Sequence, residues 1–406
     1  MKVTFTFGGL PHYLIALLNK LVSAHGIEVS VIIPGKRGIS IGEGVRLDDA
    51  GGDYLFSVYQ LEEYRGRLGK PYFRGLYQTL KEVSPDILIM GWPYILNLYF
   101  DSKSRRLFKR NSISLVYREI PFMVAPKNQA IRYYRKYPVI NENLEVDNPG
   151  GLLFYPWAFA LNQVRKRYYR MVDATMIYAS SGIEIHQSFG IPREDIFVTY
   201  NSPDTDKLAI ARKQLKEHGV SVSNPKRILH LGRLVKWKRV DLLIEALAQL
   251  ADKHNTIELF IIGAGPEEEN LKQLAEQKIP GERVKFLGSI YDPERLSDEI
   301  SSSAIYVLAG MGGLSINEAM AFGLPVICSR CDGTETDLVS DGENGLFFKE
   351  GDASDLAAKI DTLLLDPDRT RAMGDKALQV ILDKVNLETV AQRFMNCFQH
   401  VMEKKS

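Results

Sequence analysis

The 406 residues exceed what one hydrophobic core usually supports, so two domains are expected, and 45% hydrophobic with 25% charged residues is ordinary for a soluble globular protein. The net charge of +1 hides a split: residues 1–205 hold 25 Lys+Arg against 19 Asp+Glu, and the remainder 26 against 31, so the two parts carry +6 and −5. This suggests different partners for the two halves, but the basic balance lacks the strong stripe of a nucleic-acid binder, and that class is set aside.

The chain opens with MKVTFTFGGLPHYLIALLNKLVSA. Gly8, Gly9, Pro11 and His12 break the apolar run and Lys20 interrupts its end, so a strand, a turn and an amphipathic helix are expected rather than a secretory leader. His12 is expected in the first turn of that helix. Further strands are expected at EVSVIIP, DILIMG, SISLVY, ATMIYA and IFVTY. The apolar stretch Asp86 to Phe100 is too short for a membrane span and contains Pro93, so no transmembrane helix is expected and the chain is assigned to the cytoplasm. Pro121 to Gly151 is rich in aromatics, Lys and Arg, and RKRYYR (Arg165–Arg170) follows it. Two readings stand side by side: a solvated helix face, or a surface for an anionic or lipid-linked partner, peripheral at the inner face of a membrane.

The domain joint is expected near Asn201–Leu208 and the polar segment KEHGVSVSNPK, dividing the chain into 1–205 and 206–386. Beyond it the alternation is clearest. RILHLG, IELFIIG, RVKFLG, AIYVLA, PVIC and GLFF are strands, and VDLLIEALAQLADK and PEEENLKQLAEQ are helices between them. Pro266 is placed in the first turn of the second, with three glutamates near its positive end. The fold class is therefore α/β, with two doubly wound parallel sheets. A last helix, about Leu387 to Lys404, could pack on either domain and is assigned to the first. Cys328 and Cys331 form a lone CxxC. No second CxxC or nearby histidine completes a zinc set, so free thiols in a reducing compartment are expected.

In a parallel sheet, ligands bind at the carboxyl ends of the strands. AIYVLA ends in that position, followed by Gly310, Gly312 and Gly313 and a helix containing Glu318. Glycines let a backbone approach a ligand, and a helix start offers free N–H groups to a phosphate. The alternative is a capping box, SINE, with Ser315 as cap and Glu318 bonding back to it. HLGRLVKWKRV places Arg233 just past a strand and Lys238 five residues on. Such a pair can clamp a diphosphate, Arg by its fork and Lys as a point charge. The alternative is a solvated turn, as the neighbours Lys236 and Arg239 suggest. The GxG in IIGAGPEEE is weak evidence for a dinucleotide site.

Taken in order, GRLVKWKRVDLLIEAL, LFIIGAGPEEENLKQLAEQ, VKFLGSI, GGLSINEAMAFGLPVI and DLVSDGENGLFF resemble the retaining glycosyltransferases of family 4, glycosyl transferases group 1, which have the GT-B fold. FTFGGLPHYLIALLNKL and IFVTYNSPDTDKL resemble the first loop and the closing segment of that family's first domain. The resemblance implies two Rossmann-like domains facing across a cleft that holds a UDP- or GDP-sugar. Arg233 and Lys238 would neutralise the diphosphate, and Gly312, Gly313 and Leu314 would offer N–H groups. Glu318 would take the ribose hydroxyls, and the loop Ser289–Tyr291, centred on Ile290, would contact the base. Gly8 and Gly9 would approach the donor phosphate from the other domain. The implied activity is transfer of a hexose to a glycan or lipid-linked acceptor in polysaccharide or glycoconjugate synthesis. No cofactor or metal is implied, because the cations do the metal's work; DTD (Asp204–Asp206) is discounted as a metal motif. The leaving phosphate takes the acceptor proton in retaining members.

Two positions depart from the family pattern. Its usual acid and phenylalanine are here Gly310 and Gly312. Its first-domain histidine is replaced in the neighbourhood of SLVYREIPF, so Arg118 or Glu119 is the catalytic candidate there, with a buried Arg–Glu pair as the structural alternative. A sugar-nucleotide epimerase and a non-catalytic nucleotide-sugar-binding protein are the rival functions on the same fold. A nicotinamide dehydrogenase is weaker, for lack of the glycine fingerprint.

Overall fold

The computed structural model describes residues 1–36, 53–141, 143–146, 153–217 and 225–405. Residues 147–152 of the aromatic segment and 218–224 of the polar joint lie outside the described residues. Two compact units form: Met1–Val139 with Asn148–Asn201 and Leu387–Ser406, and Ile140–Asp147 with Ser202–Asn386.

The first unit contains β1 (Lys2–Thr6), β2 (Glu28–Pro34), β3 (Ser57–Leu61), β4 (Glu63–Arg65), β5 (Pro71–Phe73), β6 (Ile87–Gly91), β7 (Ser114–Glu119), β8 (Ala174–Ile177) and β9 (Ile196–Val198). Seven of them form a parallel sheet in the order β3-β2-β1-β6-β7-β8-β9, while β4 and β5 pair as a small antiparallel hairpin. The central strands are buried along most of their length because both faces are covered, and β6, ILIMG, is apolar throughout. Val3, Phe5, Ile87, Leu88, Ile89 and Met90 are all buried. The helix Leu387–Glu403 belongs to this unit. It packs on the helix His12–His25, and Phe394 and Phe398 bring their rings 6.3 and 6.4 Å from that of Phe5.

The second unit contains β10 (Arg227–Leu231), β11 (Glu258–Ile262), β12 (Val284–Phe286), β13 (Ile305–Leu308), β14 (Val326–Cys328) and β15 (Gly345–Phe347), all parallel, in the order β12-β11-β10-β13-β14-β15. The helix Val240–Leu250 buries Val240, Leu243, Leu247 and Leu250 against a core that includes Ile228 and Leu259. The helix after GAG starts at Glu268, so Pro266 stands two residues before it rather than in its first turn. Glu268 and Glu269 remain in that turn and complement its dipole.

The strand order has one consequence for function. Connections run outward from β10 on one side and from β13 on the other, so the sheet reverses direction between them. Open parallel sheets bind ligands at such switch points, beyond the carboxyl ends of the strands. The loop carrying Arg233 and Lys238 leaves β10, and the glycine turn leaves β13, so both lie at that point.

Candidate active site

The three glycines after β13 are each explained by what stands over them. A Cβ on Gly310 would penetrate the carbonyl oxygen of Trp237, and Met311 N donates to that same oxygen at 2.8 Å. Gly310 is therefore a packing glycine, demanded by the turn that precedes Val240. A Cβ on Gly312 would meet the Asp332 carboxylate at 2.7 and 2.9 Å, and one on Gly313 would lie 3.2 Å from Lys238 Nζ.

Lys238 is the centre of this arrangement. Its Nζ donates to Met311 O at 2.8 Å and to Gly312 O at 2.6 Å. Burial lowers its pKa from 10.5 to about 8; Asp332 opposes that shift, and the positive charge of Arg233 adds to it. The last effect places Arg233 within electrostatic reach of Lys238. The neighbouring cations go elsewhere: Lys236 is exposed, and Arg239 forks onto Asp241 at 3.1–3.2 Å. A uniformly solvated turn is therefore not what forms here, because Lys238 is drawn onto the glycine turn.

The helix Ser315–Ala321 does not use the capping box. Ser315 is its first helical residue, and its Oγ accepts a hydrogen bond from Tyr306 OH at 2.7 Å. That phenol also reaches Leu231 O at 3.3 Å, which ties the end of β10 to the helix start. Glu318 is left with no hydrogen bond from its carboxylate among the described residues, and burial pushes it up to about 7. Burial holds His230 near 4, hence neutral, with Nδ1 3.1 Å from Val307 O.

On the far side of the turn, Thr334 N donates to Asp332 Oδ1 at 2.9 Å. Glu335 is buried beneath that loop and accepts from Cys331 N at 2.7 Å and Gly333 N at 3.2 Å. Burial, with Asp332 beside it, raises its carboxyl to about 7. Tyr306, His230, Asp332 and Glu335 were not among the residues singled out from the sequence. Asp332 and Glu335 directly follow the CxxC, which drew the attention to sulfur instead.

Residues 211–380, all within the second unit, match the family model described as glycosyl transferases group 1. Over those residues the chain is similar to group 1 glycosyltransferases. An uncharacterized glycosyltransferase of Haemophilus influenzae is 34% identical over 155 residues, 37% of this chain and 43% of that protein. The N-acetyl-alpha-D-glucosaminyl L-malate synthase of Bacillus anthracis is 27% identical over 217 residues, 52% of this chain and 55% of that enzyme. The chain thus spans about half the length of these curated relatives. Anabaena HepE, solved in complex with UDP, matches with a TM-score of 0.65 and 17% identity over 98% of this chain and 100% of its own, which shows the GT-B fold.

Within the matched residues 211–380, GAG is structural. Any Cβ on Gly263 or Gly265 would strike the backbone at Gly232 or Leu234, so the glycines let two loops cross. Ile290 is buried and Tyr291 is exposed in the loop after β12. Asp204 accepts from Lys207 N at 3.2 Å, at the start of the helix Thr205–Glu217. The CxxC thiols are free, and burial raises both, Cys331 to about 12, so neither is a thiolate at neutral pH.

Outside the matched residues, Gly8 and Gly9 follow β1, at the first sheet's own switch point between β1 and β6. His12 is the first residue of its helix. Arg118 and Glu119 end β7 with separate fates. Glu119 is paired with Arg165 at 3.0 Å, accepts from Tyr169 OH at 2.6 Å and Tyr117 OH at 2.8 Å, and lies 3.3 Å from His186 Nε2. Burial alone would raise its carboxyl, but Arg165, His186 and Tyr169 override that and hold it at about 2. The buried Arg–Glu pair therefore forms, with Arg165 as the partner rather than Arg118. Arg118 is buried among the rings of Tyr178, Phe394 and Phe7, with Nε and one terminal nitrogen unpartnered among the described residues.

Proposed function

We propose that the chain is a retaining, metal-independent hexosyltransferase that takes its sugar from a UDP- or GDP-sugar. The acceptor is a glycan or a lipid-linked glycan. The observation that carries this reading is Lys238, an ammonium depressed to about 8 and seated on the glycine turn at the switch point, with Arg233 in electrostatic reach. A buried cation of that kind suits a ligand of dense negative charge, and a diphosphate supplies it. Glu318, whose carboxylate takes no hydrogen bond among the described residues, suits a ribose diol.

In the reaction, the bond between the anomeric carbon and the diphosphate oxygen breaks, and its electron pair leaves with the diphosphate. The acceptor oxygen bonds the anomeric carbon on the same face, and its proton passes to the departing phosphate. Arg233 and Lys238 stabilise the charge that grows on the leaving group, and the N–H groups of Gly312, Gly313 and Leu314 add to that; losing one such donor costs roughly 3–4 kcal/mol. Glu119 is fully engaged and is left out of this scheme, while Arg118 keeps donors to offer. We further propose that the protein works at the inner face of a membrane. The helix Phe154–Tyr169 exposes Trp157 and Phe159 at 41% and 43%, and Leu153 just before it at 75%. Arg132, Arg135 and Lys136 line a surface hollow of ≈ 520 Å³ in the same unit.

The deciding experiment is a panel of sugar nucleotides. Melting temperature and product formation are followed for the wild type, Arg233→Ala and Glu318→Ala. One UDP- or GDP-sugar should raise the melting temperature and be turned over with retained anomeric configuration, and both variants should lose at least tenfold in kcat/KM. Inversion, turnover only with added metal, or variants equal to wild type each defeat the reading.

A further inference from the structure

The donor site proposed above leaves open what reads the sugar itself. A hexose attached to the diphosphate sits next to the phosphate that Lys238 faces, and its hydroxyls need acceptors there. No side chain fits at Gly310, because the Trp237 carbonyl occupies the Cβ position. The carboxylate that reaches the turn comes instead from one strand over. We propose that Asp332, in the loop after β14, accepts the donor sugar's hydroxyls and sets which hexose is used. This inference rests on the reading of the second unit as a nucleotide-sugar site.

The placement of Asp332 is specific. Its oxygens lie 2.7 and 2.9 Å from where a Cβ on Gly312 would stand, so a side chain at 312 and this carboxylate exclude each other. Asp332 is half-buried rather than sealed, and its charge acts on Lys238. Its orientation is set by the loop. Thr334 N holds Oδ1 at 2.9 Å, and the buried Glu335 pins the N–H groups of Cys331 and Gly333, on either side of it. A carboxylate beside the phosphate position repels a second phosphate but suits neutral hydroxyls, which donate to it in charge-assisted bonds. The diphosphate and the sugar thus meet adjacent groups of opposite charge, Lys238 and Asp332.

The test separates nucleotide binding from sugar recognition. Asp332→Asn keeps an oxygen for Thr334 N and removes the charge, so the loop is retained. Dissociation constants for UDP and GDP are measured beside kcat/KM for the accepted sugar nucleotide and its C2 and C4 epimers. The variant should hold the nucleoside diphosphate within about threefold of wild type. It should lose roughly 10–100-fold in kcat/KM for the preferred donor, the range of a charged hydrogen bond, and discriminate less between epimers. Unchanged kcat/KM and epimer ratios, or a loss of nucleoside diphosphate affinity as large as the loss of activity, overturn the assignment. If the wild type binds neither UDP nor GDP, the donor-site reading itself falls and takes this one with it.

Discussion

Glu318 illustrates how a residue can weaken the fold it serves. Burial raises its carboxyl from 4.5 to about 7, so the unfolded chain ionises first. Its contribution is therefore fully present below pH 4.5 and is lost as pH rises through 7, at a cost on the order of 3 kcal/mol. Glu318→Gln should melt higher than the wild type at pH 8, with the gap closing toward pH 5, while donor turnover falls. A gap that stays constant across that range in a thermal scan contradicts the assignment. Donor binding by the wild type should also have two limbs: it strengthens as Glu318 ionises near 7 and weakens as Lys238 loses its proton above about 8. Residues at this scale were unevenly legible. The motif order singled out Lys238 and Glu318, yet S-x-x-E encodes a cap as readily as a ligand, and only the Tyr306 hydroxyl on Ser315 separates the two. Asp332 was invisible because its partner, Gly312, lies a helix and a strand away in the chain.

At the scale of elements, continuous apolar runs declared themselves. IYVL and ILIMG are buried on both faces, and no polar alternation confuses them. The edge strand β3, SVYQL, went unread because it is only partly covered and has no apolar run to mark it. The hairpin β4–β5 is too short and too polar to leave a periodic signal. In β7 the apolar run ends in Arg118 and Glu119, which read equally as a site or as a buried Arg–Glu pair; the strand continues through both because Arg165 and two tyrosines receive the carboxylate inside. The helix Leu387–Glu403 buries Phe394 and Phe398 almost completely, and its amphipathic pattern was plain while its docking partner was not. Phe398→Ala should destabilise the first unit by about 3–5 kcal/mol in urea unfolding, the usual cost of emptying an aromatic site in a core. A loss under about 1 kcal/mol means that the helix is only loosely seated.

For the molecule as a whole, the unequal charge of its two parts, +6 and −5, gives the first a reason to seek an anionic surface. Trp157 and Phe159 supply apolar contact on the helix that also carries Lys166 and Arg167. Vesicles containing phosphatidylglycerol should pellet the wild type at low salt and release much of it at 0.5 M, roughly where screening shrinks the Debye length to a few ångström. Trp157→Ser with Phe159→Ser should weaken binding at least threefold without changing the far-ultraviolet circular dichroism. Equal pelleting of both proteins, or none by the wild type, contradicts a membrane role for this face. The chain's path has its own consequence. The first unit is begun by β1 but finished by the helix Leu387–Glu403, with Ser202–Asn386 of the second unit synthesised between β9 and that helix. On the ribosome, Phe5 waits for Phe394 and Phe398 until translation is nearly over. The later half is free to mature first, and the earlier half needs protection from aggregation while its last helix is still to come.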